Sequence, residues 1–236
     1  MLTYIYCCQC IGYKMKRNYF LQLIILFLGL LIPVSVFAAS NISAPEAEKW
    51  ANSKGQEILR ILADKNLNKK YAALDNILYN DIDLDGAAKF AVGKYWKKMT
   101  PQQQENYIPL FKRYISSLYK GYPLNLGEGS VNFSISKVLP TKDGADVWCN
   151  IQLKNMTSPN GNGFNVLFSL IKKRNKIQVR DLKIAESSLL RAFRDRFYKI
   201  IHTDNDDEID WFLEDLETLT TDKEQKNMQN LENAVF

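Results

Sequence analysis

Of the 236 residues, roughly 200 follow a predicted export leader, which is enough chain for one hydrophobic core without added staples. The formal charge of +5 includes Lys14, Lys16 and Arg17, all before the predicted cleavage point in a stretch that holds no acid, so the processed chain carries +2. That near balance argues against the concentrated basic face of a nucleic-acid binder. No second long apolar segment follows, so the processed chain is not expected to span a membrane. Cys7, Cys8 and Cys10 also fall in the leader region, leaving Cys149 alone and excluding an intramolecular disulfide.

The leader is read from three parts in order. Lys16 and Arg17 supply the positive region and Leu21 to Val34 the apolar one, which is shorter than the roughly 20 residues of a spanning helix. Val36-Phe37-Ala38 then places small residues where a signal peptidase reads them, predicting cleavage before Ala39. Met15 reads as the natural start, with residues 1–14 as a mis-assigned extension. The expected organisation is a leader over 15–38, one domain over 39–219 and a polar tail over 220–236, frayed or disordered for want of apolar residues.

The domain begins with helical periodicity. Residues 46–65 carry Trp50, Ile58, Ile61 and Leu62 at helical spacing, and residues 69–79 carry Tyr71, Leu74, Ile77 and Leu78. Asp85 is placed to cap a third helix reaching about Lys98. Thr100-Pro101-Gln102-Gln103 forms a capping box with proline in the first turn. The helix it opens shows Tyr107, Leu110, Phe111, Tyr114, Ile115, Leu118, Tyr119 and Tyr122 on one wide face, with Gly121 and Pro123 to stop it. Pro109 inside this run predicts a kink or a division.

From Glu128 the apolar period becomes two. Four strands follow, carrying Val131, Phe133 and Ile135; Val147, Cys149, Ile151 and Leu153; Phe164, Val166, Phe168 and Leu170; and Ile177, Val179, Leu182 and Ile184. Turn residues at Lys142-Asp143-Gly144, Pro159 to Gly163 and Arg174-Asn175-Lys176 make the connections short, which predicts an antiparallel meander. Helices from Ser188 and from Asp206 close the chain. The class is therefore α+β: a curved antiparallel sheet of about four strands with helices packed on one face.

The residues that run enzymes are sparse. His202 reads as a helix-end histidine on the dipole, and Cys149 as core filling on a strand. Asp81, Asp83 and Asp85 alternate like a calcium loop, but position twelve counted from Asp81 is Val92, so no metal is expected there. No phosphate loop, paired histidine or nucleophile elbow is present. Aromatic and aliphatic surface is abundant instead. Periodicity alone does not distinguish a filled core from an apolar ligand cavity.

Three segments carry a resemblance. They are Phe90-Ala91-Val92-Gly93-Lys94-Tyr95-Trp96; Thr100 to Gln104 followed by Phe111 through Tyr119; and Val179 to Phe197 with Asp181, Ser188, Leu189, Arg194 and Phe197. In order and spacing they resemble the MlaC, or toluene-tolerance, family of periplasmic phospholipid-binding proteins, over roughly residues 46–217. The chain departs from the family pattern at Ile177, where Trp is usual, at Ala185-Glu186, where Glu-Gly is usual, and at Thr203 to Asp206, where a glycine is usual.

The resemblance implies a nuclear-transport-factor-2-like fold around a lipid cavity and a non-enzymatic role. The implied cargo is phospholipid, with no cofactor and no nucleic acid. The implied partners are an outer-membrane lipoprotein complex and an inner-membrane ABC transporter complex, and the implied effect is maintenance of outer-membrane lipid asymmetry. On that footing the expected cavity wall comprises Val147, Cys149, Ile151, Phe164, Val166, Phe168 and Val179 on the strands. Val92, Tyr95, Tyr107, Phe111, Tyr114 and Leu118 are expected to face them. Arg194 is expected to meet a headgroup or to pair with an acid such as Asp181. Two alternatives stay open: a small exported enzyme using Asp181, and an adaptor with a filled core.

Overall fold

The computed structural model describes residues 42–120, 129–153 and 163–234. The predicted leader, the Gly121–Pro123 helix stop and residues 159–162 of the second turn lie outside the described residues. Helix α1 spans Ala44–Ala63, capped by the Ser43 hydroxyl accepting from the Glu46 N–H at 3.3 Å, with proline in its first turn. Helix α2 spans Leu67–Asp81, capped by Asn66.

The third helix, α3, spans Leu84–Val92 and tightens into a 3₁₀ turn over Gly93–Lys97. Its cap is Asp83, not Asp85: the Asp83 carboxylate accepts from the Gly86 N–H at 3.1 Å. Asp85 lies in the first turn and pairs with Lys112 at 2.8 Å. Gly93 turns the chain with φ of 53°, where a side chain would be strained and would also meet the Arg194 guanidinium.

Helix α4 spans Pro101–Lys120. Its capping box closes both ways, with the Gln103 N–H donating to Thr100 Oγ1 at 3.2 Å and the Thr100 N–H donating to Gln103 Oε1 at 2.9 Å. Pro109 neither divides nor ends it. The proline is exposed, on the solvent side of the helix, where a missing backbone donor is tolerated.

Strands β1 (Val131–Thr141), β2 (Gly144–Leu153), β3 (Phe164–Lys173) and β4 (Lys176–Ile184) pair antiparallel in sequence order. The two-residue β5 (Ser187–Ser188) adds an edge on β4 that periodicity does not show. Register shifts between Ile135 and Lys137 and between Ser169 and Leu170 bend the sheet. The pairs Phe133–Ile151, Ile135–Cys149, Cys149–Val166, Val147–Phe168 and Leu170–Val179 align the apolar row of each strand on one concave face. The class is the α+β arrangement expected.

Ala185 and Glu186 join β4 to β5 with φ of 47° and 67°. A left-handed turn is thus held without the glycine usual in the resembled family. Helix α5 (Leu189–Lys199) follows directly. Ser188 Oγ accepts from the Arg191 N–H and donates to Asp181 Oδ2, whose other oxygen accepts from the Leu190 N–H. Asp181 therefore anchors a helix start and does not pair with Arg194, which lies over the Phe90 ring at 5.0 Å. After a wide turn over Ile200–Asp204, helix α6 runs over Ile209–Ala234.

The expected frayed tail is part of α6. Thr220 is fully buried, the Asn227 amide donates to the Ser117 carbonyl at 2.8 Å, and Arg113 of α4 forks between Glu217 and Glu224 at 2.8 Å each. Polar seam contacts to α4 hold a segment too poor in apolar residues to signal its own packing.

The described residues form two cores. One lies among α3, α4, α5 and α6 and is filled by Tyr95, Tyr107, Phe111, Tyr114, Phe197 and Phe212. The rings of Tyr107, Phe111, Tyr114, Phe197 and Phe212 meet edge-on or tilted at centroid distances of 5.4 to 6.0 Å. The other lies between α1 and the sheet.

Two stability outcomes follow. Glu186→Gly should stabilise the chain by about 1 kcal/mol in urea unfolding, because glycine relieves the left-handed backbone. The Tyr107 hydroxyl donates to the Ala88 carbonyl at 2.9 Å, but the buried Tyr114 hydroxyl has no hydrogen-bond partner among the described residues. Tyr114→Phe should therefore gain roughly 1 kcal/mol, while Tyr107→Phe should lose about as much.

Candidate functional site

Along α1 the residues Trp50, Ala51, Lys54, Gly55, Ile58, Leu59 and Leu62 recur at three- and four-residue steps and form one face. That face does not seal against the sheet. A cavity of about 160 Å³ opens between it, the end of α2 at Ile77 and Asp81, Ile82 beyond it, and the strand residues Val131, Phe133, Ile151, Phe168 and Val179. The small residues Ala51 and Gly55 let α1 lie close at one level; a methyl added at Gly55 would stand 2.5 Å from the Phe133 ring. The larger residues along the helix then wall a space they do not fill.

The cavity wall is apolar except for two groups. Lys54 Nζ contacts Asp81 Oδ2 at 2.7 Å and Glu57 Oε2 at 2.8 Å. Burial lowers the affinity of the Lys54 amine for its proton, but the hydrogen bonds to Asp81 and Glu57 outweigh it and hold the amine above its ordinary value. The lysine stays charged and the pair stays closed. Among the described residues, the titratable groups on the wall, Lys54 and Asp81, are each other's partners.

The structure brings only part of the expected wall together. Ile151, Phe168 and Val179 line the cavity. Val147 and Cys149 lie beside it in the core beneath α1, Val166 is buried on the same sheet face, and Phe164 is 38% exposed at the start of β3. Val92, Tyr95, Tyr107, Phe111 and Tyr114 belong to the separate all-helical core, with Leu118 packed against it, and do not face the cavity. The strongest aromatic stripe in the sequence marks the fullest packing, because large rings at every helical step leave no room. The helix that walls the cavity is α1, whose stripe mixes Ala51 and Gly55 with branched residues. Those two small residues on an otherwise apolar face are the signal that was there to find.

The remaining candidates for chemistry have structural partners. Asp81, Asp83 and Asp85 each take a lysine from a different element, Lys54 of α1, Lys173 of β3 and Lys112 of α4. His202 Nδ1 lies 3.0 Å from Asp207, which also accepts from the Tyr95 hydroxyl. Among the described residues no group of three His, Cys, Asp or Glu is arranged to hold a metal ion, and no helix is long and apolar enough to cross a membrane.

An open, apolar cavity thus lies between α1 and a bent antiparallel meander. The sequence profile of the MlaC protein family matches residues 52–218. This chain belongs to the MlaC family. It is 26% identical to the toluene tolerance protein Ttg2D of Pseudomonas putida over 186 residues, covering 76% of this chain and 84% of that protein. Its fold is similar to that of a phospholipid-binding protein of Ralstonia solanacearum, solved in complex with a phospholipid, with a TM-score of 0.62 at 17% identity. That similarity covers 75% of this MlaC-family chain and 98% of the other.

Burial pushes the Cys149 thiol up to about 12, beyond the range in which a thiolate forms at neutral pH. Cys149 should resist a maleimide at pH 8 in the native chain and react within minutes in denaturant, which time-resolved mass spectrometry would read.

Proposed function

We propose that this chain is an exported phospholipid carrier. It takes up lipid tails between α1 and the concave face of the sheet and moves them through the periplasm between outer-membrane and inner-membrane complexes, sustaining outer-membrane lipid asymmetry. The observation that carries this reading is the apolar cavity itself, found in a chain of the MlaC family whose fold matches a protein solved with phospholipid bound.

The energetics favour enclosure over a surface groove. A two-chain phospholipid buries on the order of 30 methylenes, and at about 0.8 kcal/mol each the bilayer offers roughly 24 kcal/mol. A carrier must match most of that by surrounding both tails. The cavity of about 160 Å³ is near the size that accepts a benzene molecule. Loading two tails therefore requires α1 to move away from the sheet. The helical core, already packed with rings, offers no comparable freedom.

An enzymatic reading has less support. Among the described residues, the titratable groups on the cavity wall, Lys54 and Asp81, are bound to each other. Asp181, the strand acid an enzyme would recruit, is occupied by Ser188 and the Leu190 N–H. Carriage needs balanced binding and release, and no bond is made or broken.

Native mass spectrometry of chain recovered from exporting cells should show one phospholipid per protein. Ile58→Asp puts a charge on the cavity wall and should cut lipid occupancy at least about tenfold with the circular dichroism spectrum unchanged. Phe111→Leu, in the helical core, should lower stability by about 1 kcal/mol and leave occupancy intact. Lipid-free protein, or loss of lipid only in Phe111→Leu, would reject this carrier and its site.

A further inference from the structure

The near-neutral charge balance conceals a strong segregation. Residues 84–98 and 189–199 carry eight Lys or Arg against two acids, Asp85 and Asp195. The fold packs these segments together as α3, its following turn and α5. Helix α6 carries the reverse, seven acids against Lys223 and Lys226. The near balance read from net charge averages two segments of opposite sign.

Several cations elsewhere in the fold are neutralised by a partner. Lys54, Lys112, Arg113, Lys120, Lys172 and Lys173 each sit on a carboxylate. Among the described residues, no carboxylate lies within 4.0 Å of any of the eight cations on the α3–α5 face. Aromatic rings support several of them instead: Lys94 over Tyr95 and Tyr198, Lys98 over Tyr95, Lys89 over Trp96 and Arg194 over Phe90. A ring orients a cation without neutralising it. The acids nearby are engaged elsewhere, Asp85 by Lys112 and Asp207 by the Tyr95 hydroxyl and His202.

We propose that the α3–α5 face is an electrostatic docking surface for an anionic phospholipid bilayer. Free cations interleaved with rings suit a plane of phosphates. Leu189 and Tyr198 on α5, 39% and 42% exposed, offer apolar and amphipathic groups at headgroup depth. A basic amphipathic helix beside such residues is the pattern of a membrane-surface element. The acidic α6 is repelled by the same surface, so the field both attracts the protein and orients it. This surface is separate from the cavity and acts whether or not the cavity carries lipid.

Flotation with vesicles tests it, using chain recovered from exporting cells. Vesicles of about 30% phosphatidylglycerol in phosphatidylcholine should retain the protein, and pure phosphatidylcholine should not. Retention should fall steeply between about 50 mM and about 500 mM salt. Each cation is worth about fivefold in partitioning, so Lys94→Glu with Arg191→Glu should weaken it at least about 25-fold. Lys49→Glu with Lys65→Glu makes the same charge change on exposed residues elsewhere and should keep most of the binding. Melting curves and native lipid occupancy of both variants should match the parent. Equal retention on neutral vesicles, or equal loss in both double variants, overturns the proposal. Binding to polyglutamate or duplex DNA without binding to anionic vesicles also overturns it, and identifies a protein or nucleic-acid partner.

Discussion

The short link between α2 and α3 is the constraint on which the rest of the molecule depends. Ile82 bridges to Val179 of β4 in parallel, and the Asp83 N–H donates to the Val179 carbonyl at 2.9 Å. On either side, Asp81 and Asp83 hold Lys54 of α1 and Lys173 of β3, with both carboxylates largely buried. Removing one partner of such a pair strands a charge in a dry place, so the link resists displacement. It ties helix, sheet and helix at one point. Ile82 packs against both cores and lines the cavity.

That clip explains why one side of the molecule is full and the other open. Beyond Ile82, helices α4 to α6 interlock through aromatic rings, and α3 packs against them through Leu84, Ala88, Ala91 and Val92. On the near side, α1 lies on the sheet through small residues at one level and branched ones at the next. The same chain therefore contains a block closed by its own side chains and a helix that leaves space against its sheet. Under the proposed carrier reading, lipid tails would enter on the side where packing is incomplete.

Much of the architecture is legible in the residues themselves. The capping box at Thr100 and Gln103, the period-two strands with their turns, and the α+β order all appear in the structure as their local chemistry dictates. The cavity was legible only in its strand half, at Ile151, Phe168 and Val179. Its helical half was assigned to the aromatic stripe of α4, because a periodic stripe reports that a face is buried but not what meets it. The tail shows the converse. Thr220 and Asn227 read as solvated, yet each finds a backbone carbonyl, one on its own helix and one on α4.

The sequence by itself determined the class, the family and most of the elements. Each of these rests on neighbours in the chain or on motif order. Three things were decided only by tertiary structure: which apolar faces meet with room to spare, which lysine answers each aspartate, and how opposite charges gather on opposite helices. They depend on residues far apart in the chain, such as Gly55 with Phe133 and Lys94 with Tyr198, whose proximity no local periodicity encodes.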